Sequence, residues 1–308
     1  MVSGIVKNIE ENAVHDGSGI RALGFMKGCI MHCRWCQNPE LIRPDPEIWY
    51  NKVLCKECGK CVEACPLGIL TLDVNNKFAG HKDECNLCGE CLKVCDPGAL
   101  SLVGEEITSD EWVKHFMRYS LYFNHGKGGV TLSGGDPIYQ PEFSAEVLRQ
   151  LQEKGVHTTI ESALHYPYAD VLKVLSHCDT LIADIKHMNS EKHKWGTGVG
   201  NKLILENFKK LDRDFEGEIH IHIPLVPGFN DDDENIRRTA DFACMLDKVV
   251  GIDLLPFNTL PVAKFEALGV DWEYKGVEMQ SKERLKELFE IVTSSCGKFS
   301  CTTIGGLW

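Results

Sequence analysis

Eleven of the fifteen cysteines in this 308-residue chain fall in three short runs between Cys29 and Cys95. No other feature restricts the fold as severely, because thiols at such spacing must either pair or hold metal. Disulfides belong to oxidising compartments. The opening residues MVSGIVKNIEEN have neither the basic start nor the apolar run of a secretory signal. No stretch approaches the ~20 apolar residues that span a bilayer. The expectation is a soluble, cytoplasmic protein without a membrane partner. Its clustered cysteines are then metal ligands, and the scattered Cys178, Cys244, Cys296 and Cys301 are small buried hydrophobes. A net charge of −12 repels phosphate backbones and, with no basic cluster, argues against nucleic acid.

Two of the runs are near-copies. Cys55, Cys58, Cys61 and Cys65 precede Pro66, and Cys85, Cys88, Cys91 and Cys95 precede Pro97 at one residue's greater distance. This is the run of bacterial two-cluster ferredoxins, in which three thiolates of one run share a cubane with the fourth thiolate of the other. The expected sets are Cys55, Cys58, Cys61 with Cys95, and Cys85, Cys88, Cys91 with Cys65. Paired Cys-x2-Cys motifs also hold structural zinc, but two complete runs, each close to a proline, favour cubanes. Such a module transfers single electrons.

The third run, Cys29-x3-Cys33-x2-Cys36, has no fourth cysteine nearby. Three thiolates on a [4Fe–4S] cluster leave one iron open, and an open position is what binds and transforms a ligand. A zinc motif completed by His32 or a distant cysteine is the alternative on spacing alone.

Arg43-Pro44-Asp45-Pro46 reads as a linker, because proline ends regular structure and restricts its predecessor. From Gly128 onward, strands are expected at Val130–Leu132, His157–Ile160, Leu181–Asp184, Ile219–Val226, Ile252–Leu255 and Cys301–Ile304. They alternate with helices at Pro141–Lys154, Tyr168–Ser176, Leu203–Leu211, Asp232–Leu246 and Ser281–Val292. Strand–helix alternation makes a parallel sheet whose ligands sit at the carboxyl ends of the strands. Ser133-Gly134-Gly135-Asp136, Glu161-Ser162 and Asp184-Ile185-Lys186 lie at such ends. A phosphate loop at Lys127-Gly128-Gly129 is discounted, since the Gly-Lys-Ser/Thr ending is missing.

Cys-x3-Cys-x2-Cys, with His15-Asp16-Gly17-Ser18-Gly19-Ile20-Arg21 before it and Trp35-Cys36-Gln37-Asn38-Pro39-Glu40 at its end, resembles the activating enzymes of glycyl radical enzymes. These belong to the radical S-adenosylmethionine (radical SAM) superfamily, and pyruvate formate-lyase activase is the best-known relative. The double insert is similar to that of the glycerol dehydratase, benzylsuccinate synthase and arylacetate decarboxylase activases. The resemblance covers nearly the whole chain. It implies an α/β fold: a partial (βα)6 TIM-like barrel over 1–48 and 104–308, with an inserted α+β ferredoxin-like domain over 49–103 carrying two [4Fe–4S] clusters.

The resemblance also implies roles. Cys29, Cys33 and Cys36 would hold the catalytic cluster, whose open iron is chelated by S-adenosylmethionine. Gly134, Gly135 and Asp136 match the family's Gly-Gly-Glu, which meets the methionine amino group. Asp184 and Lys186 match its Asp-x-Lys, and Asn201 and Asn207 match positions near the cofactor. Glu161 and Ser162 resemble a pair that helps hold a monovalent cation. His222 stands where the family usually has Arg, Asn258 where it often has His, and Ser18 where it has Pro. Both His222 and Asn258 are expected at the cofactor, and Asp16 and Arg21 at the partner.

The implied activity is reductive cleavage of S-adenosylmethionine to a 5′-deoxyadenosyl radical that abstracts hydrogen from a backbone glycine of a partner enzyme. Flavodoxin or ferredoxin would supply the electron. Two alternatives stay open: a radical SAM enzyme acting on a small molecule or peptide, which shares every core motif, and a non-catalytic electron carrier of the polyferredoxin type, which leaves the three-cysteine run unexplained.

Overall fold

The computed structural model describes residues 2–72, 78–80, 84–126, 128–268, 270–295, 297–299 and 301–306. Cys296 and Lys127 lie outside them. The strands are β1 (Ser3–Ala13), β2 (Arg21–Met26), β3 (Glu47–Tyr50), β4 (Leu70–Leu72), β5 (Phe78–Gly80), β6 (Leu100–Val103), β7 (Glu105–Thr108), β8 (Gly129–Gly134), β9 (His157–Ser162), β10 (Thr180–Asp184), β11 (Glu218–Pro224), β12 (Val249–Leu255) and β13 (Cys301–Ile304). The helices are α1 (Lys60–Ala64), α2 (Glu90–Lys93), α3 (Ser109–Phe116), α4 (Ser120–Gly126), α5 (Pro141–Glu153), α6 (Tyr168–Leu175), α7 (Ser190–Thr197), α8 (Lys202–Asp214), α9 (Asp233–Cys244), α10 (Val262–Ala267) and α11 (Lys282–Ser295).

Nine strands form one sheet in the order β13-β12-β11-β10-β9-β8-β2-β1-β7. β2 and β8 to β13 run parallel, and β1 and β7 extend the sheet antiparallel. Each of β2 and β8 to β12 is followed by helix before the next parallel strand, which makes six β/α units closed off by β13. The strand order is open, so this is the partial barrel expected.

Side-chain alternation builds it. On β11, Ile219, Ile221 and Ile223 join the main apolar core, and the intervening His220 and His222 point to the opposite face. Helix α5 starts on Pro141 and buries Phe143, Val147, Leu148 and Leu151, an i, i+4, i+5, i+8 stripe. Burying each such side chain contributes about 1.5–3 kcal/mol.

The segment with the repeated cysteines has its own small core of Ile48, Tyr50, Leu70, Cys91, Ala99 and Leu100. β3 and β6 pair antiparallel at its base, Glu47 opposite Val103. Below it, buried Lys27 reaches Glu47 Oε1 and the Glu40 carbonyl, both at 3.0 Å. Such a pair ties the segment to the end of β2, although its charges stabilise only while both remain.

Several elements were not expected: β1, β2 and β7, helices α3 and α10, and polar α7. One expectation about the scattered cysteines is corrected. Cys178 is a buried thiol, but half-buried Cys244 is disulfide-bonded rather than a free small hydrophobe. Among the described residues no helix is long and apolar enough to cross a membrane.

Candidate functional site

A cavity of about 390 Å³ opens at the carboxyl ends of the parallel strands. Its wall includes Cys29, Cys33 and Cys36 from the loop after β2, Gly134 and Gly135 from the end of β8, and Glu161 and Ser162 from β9. Asp184 and Lys186 come from the end of β10, His222 from β11 and Asn258 from beyond β12. A volume of this size suits a cofactor-sized ligand.

The cysteine loop is held by backbone bonds. Gly28 N donates to Leu41 O at 2.8 Å, His32 N to Thr197 O at 2.9 Å and Arg34 N to Gly196 O at 3.0 Å. The last two make α7 a brace for the loop. Its helix starts on Asn189, whose side chain accepts from Glu191 and Lys192 N–H. Trp35, Phe229, Phe257, Trp272 and Tyr274 form an apolar cluster against Cys33 and Cys36. Burial pushes the Cys36 thiol up to about 12, with Cys33 adding to it, and burial raises Cys29 and Cys33 as well. Bound metal reverses that balance, because a coordinated thiol is deprotonated.

The two glycines are dictated by contact. A Cβ on Gly135 would lie 2.3 Å from Gly28 O and 2.6 Å from Leu41 O, both backbone. Gly134 has φ +119°, a conformation open to glycine. Asp136 turns away from the cavity and is 2% exposed. Its carboxylate accepts Ile138 N–H at 3.0 Å, Ala163 N–H at 2.9 Å and the Ser162 hydroxyl at 2.9 Å. Burial lifts it to about 7 against those donors. Asp136 therefore ties the Gly134–Gly135 turn to the end of β9, where an amino-group ligand was expected.

Lys186 Nζ lies 2.8 Å from Asp184 Oδ2. Burial works against its charge, but Asp184 and the nearby Cys33 sulfur hold it above the ordinary lysine value. Glu161 accepts from the Ser133 hydroxyl. Burial and the adjacent Asp16 carboxyl push Glu161 well above its ordinary value, as expected when two carboxyls crowd one place.

Other expected residues are placed differently. Arg21 is 1% exposed and donates to Thr131 Oγ1, Ser18 O, Val130 O and His157 O. It pins neighbouring strands and has no surface to offer a partner. Asn201 is buried and donates to His187 O at 2.9 Å, and Asn207 donates to Leu164 O and Tyr166 O; both hold loops and neither lines the cavity. Asp16 lines the cavity wall beside Glu161.

In the repeated segment, Cys55, Cys58, Cys61 and Cys95 line one hollow. Cys91 lies within electrostatic reach of Cys85, Cys65 and Cys88. Cys95 thus sits with the first run and Cys65 near the second. Among the described residues no three ligand side chains close tightly around one point.

The chain also matches known families. The Radical SAM superfamily matches residues 93–240, and a 4Fe-4S dicluster domain matches residues 54–109. The (2S)-3-sulfopropanediol dehydratase activating enzyme of Klebsiella oxytoca is 35% identical over 92% of this chain and 92% of its own length. This chain belongs to the activating enzymes of glycyl radical enzymes. A second member of the family, the 4-hydroxyphenylacetate decarboxylase activating enzyme of Clostridioides difficile, is 36% identical over 94% of this chain and 93% of its own. A radical SAM methyltransferase from Sphaerobacter thermophilus shares the fold at TM-score 0.50 and 14% identity, over 76% of this chain and 72% of that one. Iron–sulfur clusters and S-adenosylmethionine come with the family, and a protein is its substrate.

In the sequence Ser133 stood out only as part of its motif, and Asp253 and His220, whose side chains face each other beside His222, were passed over. Their signal was present in EIHIHIP and GIDLL, where polar residues interrupt two otherwise apolar strands.

Proposed function

We propose that this chain activates a glycyl radical enzyme using three [4Fe–4S] clusters, one in the barrel and two in an inserted domain spanning 49–103. The observation that carries the reading is the meeting of Cys29, Cys33, Cys36, Gly134, Gly135, Asp184, Lys186 and His222 around one cavity. Cys29, Cys33 and Cys36 would hold the cluster, which when bound would supply the electron for reductive cleavage of S-adenosylmethionine and so for hydrogen abstraction from a partner's glycine.

The chain's own residues do the rest. Gly134 and Gly135 let the β8 turn approach a ligand closely, with Asp136 as the tie behind them. Lys186, kept protonated beside Asp184, offers a positive donor to the ligand's oxygens. Asp16 and Glu161 together suit a monovalent cation. The aromatic cluster from Trp35 to Tyr274 keeps water from Cys33 and Cys36, which protects a reactive intermediate. The insert's cysteines hold two clusters in the crosswise sets, and flavodoxin or ferredoxin is the external reductant.

The test is anaerobic reconstitution with iron and sulfide, reduction, and addition of S-adenosylmethionine. Three clusters require about 12 irons per chain, and 5′-deoxyadenosine is read by mass spectrometry. With a glycyl radical enzyme present, a glycyl radical signal in electron paramagnetic resonance completes the proof. A fully loaded, reduced sample that yields no deoxyadenosine overturns the reading.

A further inference from the structure

Asp253 is 0% exposed, one of few acids so deeply placed, and it does not line the cavity. It lies opposite His222 in the β11–β12 ladder. Its Oδ2 is 3.5 Å from His222 Nε2 and 3.8 Å from His220 Nδ1. Its Oδ1 accepts the Thr303 hydroxyl at 2.5 Å, and Thr303 Oγ1 in turn accepts Gly306 N–H at 3.0 Å. The carboxylate is thus fixed from β13 on one side and faces two imidazoles of β11 on the other. Burial opposes its charge, yet the two facing imidazoles and the Thr303 hydroxyl hold it below the ordinary carboxylate range. A buried charge persists only when so compensated. Of the two imidazoles, only that of His222 reaches the cavity wall.

We propose that Asp253 is a positioning residue that fixes the His222 ring so that it meets a polar oxygen of bound S-adenosylmethionine. A fixed carboxylate 3.5 Å from one ring nitrogen favours one orientation of the imidazole and so aims its remaining edge. Thr303 sets the carboxylate, Asp253 sets the ring, and His222 meets the ligand. The proposal rests on the S-adenosylmethionine reading of the cavity.

The test measures equilibrium binding of S-adenosylmethionine by calorimetry to the reconstituted, unreduced protein, so that no turnover intervenes. Asp253→Asn and His222→Gln should each weaken binding about tenfold, the lower end of losses from such supporting groups. The double variant should bind no more weakly than His222→Gln alone. A full additional loss from Asp253→Asn in the His222→Gln background, or wild-type binding by Asp253→Asn, overturns the proposal. If Asp253→Asn does not fold, Thr303→Val keeps the charge but frees the carboxylate. It should weaken binding about threefold with His222 and not at all with Gln in its place, and equal effects in both backgrounds overturn the proposal as well. Wild-type protein that fails to bind sinks the cofactor reading itself, whereas wild-type binding with an indifferent Asp253→Asn sinks only this inference.

Discussion

Replacing Asp136 with alanine tests how the glycine turn is held. The carboxylate satisfies two backbone N–H groups, of Ile138 and Ala163, and the Ser162 hydroxyl. With Asp136 only 2% exposed, water does not reach those donors freely. A buried donor left without a partner costs about 1–3 kcal/mol. The two N–H groups are fixed by the 3-10 turn at Pro137–Tyr139 and the end of β9, whereas the hydroxyl is free to rotate. Two stranded donors therefore imply a loss of about 2–6 kcal/mol, a large part of the stability of an ordinary domain. Asp136→Asn should lose less, about 1–3 kcal/mol, since its amide keeps an acceptor for one N–H but turns a donor toward the other. Urea unfolding of reconstituted protein at pH 8, followed by circular dichroism, gives both values. The same variants should bind S-adenosylmethionine more weakly, because the turn they loosen carries Gly134 and Gly135. An Ala variant within 1 kcal/mol of wild type, or an Asn variant less stable than the Ala variant, would refute the reasoning.

Cys33→Ala should abolish 5′-deoxyadenosine formation while leaving about eight irons per chain in the insert, measured by mass spectrometry and iron analysis on one sample. Gly135→Ala should destabilise by about 1–3 kcal/mol or more, as overpacking does, since its Cβ meets only backbone oxygens and carbon near 2.3–2.7 Å; urea midpoints check it. Burial holds His193 neutral and lowers it to about 4 from an ordinary 6.5. The unfolded chain takes up a proton there that the native state refuses, so stability is lost as pH falls from 6.5 toward 4, by up to about 3 kcal/mol. His193→Gln should show a shallower loss than wild type over that range in thermal melts.

Most of the chemistry was legible because cluster ligation is a short-range demand. Cys29, Cys33 and Cys36 must share one loop, and the crosswise sets of the insert follow from two runs of fixed spacing. The parallel strands from β8 to β13 were legible too, because each is a short apolar run bounded by a helix-length amphipathic segment. β1 was not, because its buried, half-buried and exposed residues lack a clean alternation over the second half of the strand. Helix α7 was not, because Ser190 to Thr197 has no apolar stripe and is fixed by Asn189 and by the cysteine loop lying on it.

The ligand types, their spacing and the alternation of strand and helix were set by the sequence alone, since each depends on neighbours within a few residues. The fates of Asp136, Arg21 and Asp253 were decided only by tertiary structure. Each is an acid or base near a strand, and each could have faced ligand, solvent or core. Asp136 meets donors 2 and 27 residues away, Arg21 reaches across 110 residues to Thr131, and Asp253 accepts from Thr303 at a separation of 50. Whether a buried charge supports a site or belongs to it depends on those distant partners, because desolvation is repaid only where the fold brings them within hydrogen-bonding reach.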